Sequence, residues 1–360
     1  MVSFVQAAVF GLLVAQNTAI VLVCRWSKLY STTQSNKSPL EDLLVITIGE
    51  LLKFVTCFAV ATHEFLMLPS KAAPGQPDRA GYLRSLCNWT EMAKISVPGL
   101  IYLVQNQLIF FSIDRLPGPV YQVTYQLKIV AAAVVARVFI AKMLSYEKWL
   151  ALWMLTVGVA ICNLTGGEGK VVSFDFSEFV KSVTSAGFLA AIGACFCSGL
   201  AGVYFEAVLK GGNTSLWVRN VHLAGASILL AAGNFVYLER ARLTPKEGGV
   251  VDWIKLGLEV VGELREFTLN ISTVMWIVIL LQAYGGILVS LVIKHIGTVE
   301  KAFAASMSIL LTTAISLAAF PDFVVSGTFF IGAFLVGVSV YLYSVGLTRH
   351  TPATAEKKQL

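Results

Sequence analysis

Ten stretches of this chain are long and apolar enough to cross a bilayer: residues 4–24, 43–66, 95–113, 117–140, 147–164, 184–208, 215–238, 272–296, 301–320 and 324–346. A spanning helix needs about 20 mostly apolar residues. Hydrocarbon offers no water to backbone N–H and C=O groups, so each stretch must satisfy them internally. Composition supports the same reading: 56% of residues are hydrophobic and 13% charged, against about 25% charged in ordinary soluble domains. The expected fold class is an all-α polytopic membrane protein with ten transmembrane helices.

The connections carry further information. Residues 67–94 and 165–183 read as polar loops, and 239–270 mixes charge with an amphipathic rhythm suited to a membrane surface. The opening "MVSFVQAAVFGLLVAQNTAIVLVC" has no basic leader and reads as a first spanning helix rather than a cleaved signal. With ten helices both ends share a side. Lys142, Lys148, Lys210, Lys294, Lys301, Arg349, Lys357 and Lys358 fall on that side, while Arg25, Lys28 and Lys37 oppose. The balance predicts cytosolic termini. Six cysteines lie mostly in apolar stretches without metal spacing and read as packing residues. A net charge of +6 without a dense basic run gives no footprint for nucleic acid.

An internal repeat is visible. "MLTVGVAICN" (154–163) aligns with "AFLVGVSVYL" (333–342), and the same offset places Tyr121 opposite Glu300. The weaker pair "GLLVAQ" (11–16) and "GLAGVY" (199–204) extends the match toward the first helix of each half. The division expected is residues 1–165, residues 184–346 and a cytosolic tail, 347–360. Five helices per half makes the two halves inverted, and inverted repeats build transporters with a site near the midplane.

Polar residues inside the spans are the candidate site. In "VYQVTYQLKI", Tyr121, Thr124, Tyr125 and Lys128 recur at helical spacing and share one face. A lysine at mid-span costs about 2.5–3.5 kcal/mol on insertion scales, so Lys128 asks for a cavity or an anionic partner. Lys301 opens the ninth stretch, above Ala305, Ser308 and Thr312; it fits either a cavity or a cation reaching out to the interface. Helix two carries Glu50 and Lys53, three apart, readable as an ion pair or as part of a gate. Helix three carries Tyr102, Gln105 and Asn106 on one face, readable as ligand contacts or as interhelical amide bonds. Helix eight carries Tyr284, Gly285 and Gly286, where a ligand or a neighbouring helix can come close. Two cations, several tyrosines and a set of amides suit a phosphate, a base and a sugar. No GxSxG, P-loop or histidine–cysteine cluster is present, so neither an enzyme nor ATP-driven transport is supported, and no cofactor is expected.

At "VYQVTYQLKI", with "SGLAGVYFEAVLKGGNTSLWVRN" (198–220) and "VEKAFAASMSILLTT" (299–313), the chain resembles the Golgi nucleotide-sugar transporters of the UDP-galactose, UDP-N-acetylglucosamine and CMP-sialic acid group. The likeness covers nearly the whole chain and is nearest to the UDP-galactose members. It implies the drug/metabolite transporter fold, and import of UDP-galactose into the Golgi lumen in exchange for UMP by alternating access, with UDP-N-acetylglucosamine or CMP-sialic acid as the alternative cargo. It implies that Lys128 and Lys301 contact phosphate, that Tyr102, Gln105 and Asn106 contact the nucleoside, and that Asn220 and Lys53 belong to the site. Gly199 matches a packing glycine. Ala224 stands where sialic acid transporters tend to have tyrosine, which disfavours CMP-sialic acid. The ending "EKKQL" resembles a dilysine retrieval signal (Lys357, Lys358), read by a coat complex and implying cycling to the endoplasmic reticulum. Sequons at Asn36 and Asn270 would face the lumen; those at Asn88 and Asn213 would not.

Overall fold

The computed structural model describes residues 4–30, 39–69, 79–165, 175–211, 214–243, 271–320 and 326–349, with scattered positions between 262 and 269. The tail lysines Lys357 and Lys358, the sequons at Asn36, Asn213 and Asn270, and most of 239–270 lie outside them. Every regular element among the described residues is a helix.

Long helices follow the apolar stretches. They are α1 (Phe4–Tyr30), α2 (Pro39–Met67), α4 (Trp89–Ile113), α7 (Tyr146–Thr165), α9 (Ala186–Lys210), α10 (Leu216–Leu243), α11 (Thr273–His295), α12 (Thr298–Ala319) and α13 (Gly327–Arg349). Two short helices stand outside the spans: α3 (Arg79–Leu86), within the stretch expected to be a polar loop, and α8 (Phe176–Ser182). The fourth apolar stretch is divided into α5 (Gly118–Tyr125) and α6 (Lys128–Phe139). With those two counted as one span, nine helices among the described residues are long and apolar enough to cross a membrane. The tenth is shorter in its apolar part, Gly327–Tyr343. The chain is an all-helical polytopic membrane protein.

The chain forms two compact units. The first is Met1–Thr18, Leu100–Lys210 and Val292–Leu360; the second is Ala19–Gly99 and Gly211–Leu291. Each draws on both sequence halves, so the repeat halves and the compact units are different divisions of the chain.

In the first unit, α7 packs along α13 and α6 along α9. Val135, Leu152, Leu155, Val159, Val203, Val299, Phe303 and Val336 form its buried centre. Glycine allows the closest approaches. A Cβ at Gly158 would lie 2.9 Å from the Gly332 carbonyl oxygen, and one at Gly332 would lie 2.8 Å from Cys162 Sγ. Such small-residue contacts replace the hydrophobic driving force that lipid removes. Gly337, which the repeat aligns with Gly158, has open space at its Cβ position. The matched glycines therefore do different jobs.

In the second unit, α2 packs along α10 through Cys57 and Ala61 against Val221 and Val218. The short α3 is fastened to the end of α2. Arg79 donates to the carbonyls of Leu68 and Leu66, at 2.9 and 3.0 Å, and the Tyr82 hydroxyl donates to Glu64 Oε2 at 2.9 Å. Burial, and then the Glu64 carboxylate that takes its proton in a hydrogen bond, push the Tyr82 phenol well above its ordinary range.

Candidate functional site

In the first unit, the predicted residues converge around the interruption between α5 and α6. Pro117 and Pro119 start α5, as suits residues with fixed φ and no N–H to place. Neither proline nor glycine lies at its end, yet the α-helical ladder lapses there. Leu127 N–H bonds the Thr124 carbonyl, and Ile129 N–H bonds that of Gln126, each three residues back rather than four. The expectation of one unbroken helical face from Tyr121 to Lys128 is corrected by this break at Gln126–Leu127.

The break divides the face by role. Thr124 is 1% exposed, and its hydroxyl donates to the Val120 carbonyl at 2.7 Å, so it is spent on its own helix. Tyr121 and Tyr125 stack, with ring centroids 5.5 Å apart and planes inclined by 15°. The Lys128 ammonium lies 4.3 Å from the Tyr125 ring centroid, a cation–π contact. From α4, Gln105 Nε2 donates to the Tyr125 hydroxyl at 3.0 Å. Gln105 is 6% exposed, and its Oε1 is buried without a hydrogen-bond partner. An unpaired buried amide oxygen is costly, so this atom asks for a donor. Tyr102, one turn earlier, is more open and lies within electrostatic range of Tyr125; Asn106 is exposed.

Lys301 stands in the first turn of α12 and lies within electrostatic range of Lys128. Both lysines are half-buried. Among the described residues, Lys53, Lys94, Lys142 and Lys210 each have a carboxylate at 2.6–2.9 Å, whereas Lys128 and Lys301 have none. The carboxylate next to Lys301 in sequence is taken. Glu300 accepts from Lys142 through both oxygens, at 2.8 and 2.9 Å, and from the Tyr343 hydroxyl at 2.9 Å. Glu206 is taken too, accepting from Lys210 at 2.6 Å and from the Thr298 backbone N–H at 2.7 Å. Ser308, on the stripe below Lys301, bonds back to the Ala305 carbonyl at 2.6 Å. Two like charges without a carboxylate partner among the described residues, stacked aromatics and an unpaired amide have the chemistry to bind an anion and a ring.

The second unit holds the remaining predicted residues. Lys53 is 6% exposed and pairs with Glu50 at 2.6 Å. Gly286 makes room for it: a Cβ there would lie 3.4 Å from Lys53 Cδ. The two charges of "GELLKF" are in contact as an ion pair. Gly285, beside Gly286, is buried, and Tyr284 is 48% exposed. Asn220 is 1% exposed; its Nδ2 donates to Leu216 O at 3.0 Å and its Oδ1 accepts from Ser290 at 2.8 Å. Its amide joins α10 to α11.

Sequence reasoning passed over Glu206 and the cluster around it. Its four-residue spacing to Lys210 in "EAVLK" was a readable signal. Nothing local announced Thr298, Lys142 or Tyr343 as its neighbours. Gly297 sits among them at φ 147°, where a Cβ would meet Glu300, Glu206 and Lys142 within 3.1 Å. The packing role expected of Gly199 is visible, since a Cβ there would lie 2.9 Å from Ala132 N.

The description "Nucleotide-sugar transporter" matches residues 2–344. A UDP-N-acetylglucosamine/UDP-N-acetylgalactosamine transporter of Caenorhabditis elegans is 34% identical, over 95% of this chain and 94% of its own. The UDP-N-acetylglucosamine transporter of Homo sapiens is 34% identical, over 92% and 93%. The UDP-galactose transporter of Schizosaccharomyces pombe is 32% identical, over 95% and 88%. A solved crystal structure superposes with a TM-score of 0.57 at 14% identity, over 96% of this chain and 99% of that one, a likeness of fold alone. With nearly its whole length matched, the chain belongs to the nucleotide-sugar transporter family.

Proposed function

We propose that the protein is an antiporter that carries a UDP-sugar across the Golgi membrane into the lumen and returns UMP through the same site by alternating access. The observation that carries this reading is the pair of half-buried lysines, Lys128 and Lys301, with no carboxylate partner among the described residues. Phosphate oxygens are the counterions they lack, and charge-assisted contacts of that kind are the strong ones. The Tyr121–Tyr125 stack offers the base a flat apolar wall. Gln105 Oε1 accepts from the uracil N–H or a ribose hydroxyl, and Tyr102 and Asn106 lie on the same helix to read the nucleoside. The transport class is that of the family; uridine is the nucleoside in the names of the relatives above, both those for N-acetylglucosamine and that for galactose.

Exchange follows from charge. A phosphate monoester has its second pKa near 6, so UMP is close to dianionic at neutral pH, as is a UDP-sugar. One-for-one exchange is then nearly electroneutral and needs no ion gradient. The inverted five-helix halves supply the rocking motion, and cytosolic termini place Lys357 and Lys358 where a coat complex reads them.

The test is uptake into liposomes preloaded with UMP. Radiolabelled UDP-galactose and UDP-N-acetylglucosamine compete against each other, with CMP-sialic acid as a third arm. Uptake should depend on trapped UMP and be blocked by external UMP. Equal uptake into empty liposomes overturns exchange; preference for CMP-sialic acid overturns the uridine reading. Redistribution of a tagged protein when Lys357 and Lys358 are replaced by serine tests the retrieval signal.

A further inference from the structure

Lys128 and Lys301 are carried by different helices, and one helix, α9, grips the backbone three residues ahead of each. At one end is Cys195. The break before α6 shifts the backbone bonding: Ile129 N–H, due to bond Tyr125 O, bonds Gln126 O instead, while Thr124 O takes the Leu127 N–H. Cys195 Sγ lies 3.6 Å from the Thr124 carbonyl and 3.6 Å from that of Tyr125. A thiol is a weak donor, but it is buried and lies against both carbonyls of the break. One turn on, Gly199 brings the two backbones together, its Cβ position 3.0 Å from Ala131 C.

At the other end are Gly202 and Glu206. The Gly202 carbonyl accepts from the Thr298 hydroxyl at 2.8 Å, and Glu206 Oε2 accepts from the Thr298 backbone N–H at 2.7 Å. The carboxylate thereby occupies the positive end of α12, from which Lys301 projects. Glu206 is 2% exposed and its charge is balanced by Lys210. Positions 195, 199, 202 and 206 follow helical spacing, so one stripe of α9 reaches both lysine-bearing segments.

We propose that α9 sets the separation of the two lysines, with Cys195 the positioning residue for Lys128 and Glu206 the positioning residue for Lys301. The proposal rests on the reading that both lysines bind phosphate. Neither residue touches the nucleotide. Each fixes the backbone from which a cation reaches it, so a change at either end weakens phosphate binding more than nucleoside binding.

The experiment compares affinities for UMP and for uridine in the full-length protein, measured by competition against UDP-sugar uptake. Their ratio reads the phosphate contacts and is indifferent to the amount of folded protein. Lys128→Ala lowers the ratio if the phosphate reading holds. Cys195→Val, which removes the donor, should lower it by about fivefold, and Cys195→Ser should restore most of it. In a Lys128→Ala background, Cys195→Val should change the ratio no further. Glu206→Gln keeps an acceptor oxygen for Thr298 and should alter the ratio less than Glu206→Leu. If Lys128→Ala lowers the ratio and neither Cys195→Val nor Glu206→Leu does, the spacer role is overturned. If Lys128→Ala and Lys301→Ala leave it unchanged, the phosphate reading fails first. Should Cys195→Val not fold, the Glu206 pair tests the same proposal alone.

Discussion

Lys53 and Lys128 are both lysines inside apolar helices, and the protein treats them in opposite ways. Lys53 is 6% exposed, with a carboxylate 2.6 Å away and a glycine cleared beneath it. Its cost is met inside the second unit, by Glu50 one turn back. Lys128 has a tyrosine face 4.3 Å off and a second lysine within electrostatic range. A ring quadrupole offsets part of a desolvated charge, by about 2 kcal/mol or more, and a like charge adds to the cost. A paired lysine is a finished piece of structure. An unpaired one is an unfinished piece, completed by what binds.

The largest expected effect breaks the finished pair. Lys53→Ala leaves Glu50 partly buried and alone, and breaking a buried pair costs about 3–5 kcal/mol. The variant should unfold at a clearly lower temperature in detergent. Replacing both members together, Lys53→Met with Glu50→Gln, should recover most of the loss. A double variant as unstable as the single one would show that the pair is more than self-neutralising.

The next effect has the opposite sign on stability. Lys128→Ala removes a repulsion with Lys301, so the ligand-free protein should hold or gain thermal stability. UMP binding should weaken by about 1.5–3 kcal/mol, about 10- to 150-fold in Kd, the worth of a charge-assisted contact. A ligand-free variant that melts well below the parent protein would place Lys128 with Lys53, as a structural cation.

The same contrast explains what the sequence could and could not disclose. Hydropathy located the spans, because the bilayer leaves little choice of backbone structure. The cost of charge in lipid singled out Lys128. The break at Gln126–Leu127 was illegible, since no proline or glycine marks it, and the residues packed against it, Cys195 and Gly199, lie far along the sequence. Glu50 and Lys53 were legible as neighbours because one helix carries both. Gln105 with Tyr125, and Glu206 with Thr298, were not, because their pairing is a property of packing between helices. Asn220 entered through the family resemblance alone, and Thr124 through its helical spacing to Lys128. Their satisfaction by Ser290, Leu216 and Val120 is what the sequence did not show.

A smaller effect separates satisfied from unsatisfied polar groups. Gln105→Leu removes the donor to the Tyr125 hydroxyl and the unpartnered Oε1. In the proposed site that oxygen bonds the nucleoside, so affinity for both UMP and uridine should fall by about 1 kcal/mol, with their ratio unchanged. A fall in the ratio would mean that Gln105 acts through Lys128 by way of the tyrosine ring rather than on the base.

The smallest effect belongs to Thr124, which shares the spacing of the site residues but not their exposure. Its hydroxyl already bonds the Val120 carbonyl, and the residue is 1% exposed. Thr124→Val keeps the shape, loses one intrahelical bond and should cost at most about 1 kcal/mol of stability. UMP affinity should stay where it was, because the hydroxyl is buried and already bonded within its own helix. Tyr125→Phe, one residue on, removes only the hydroxyl that accepts from Gln105 and keeps the ring beneath the Lys128 ammonium. Uridine binding should then weaken as in Gln105→Leu, and phosphate selectivity should persist. If Thr124→Val instead weakened UMP binding as much as Tyr125→Phe, α5 would have to turn that residue toward the ligand during transport. The break at Gln126–Leu127 would then be the hinge on which it turns.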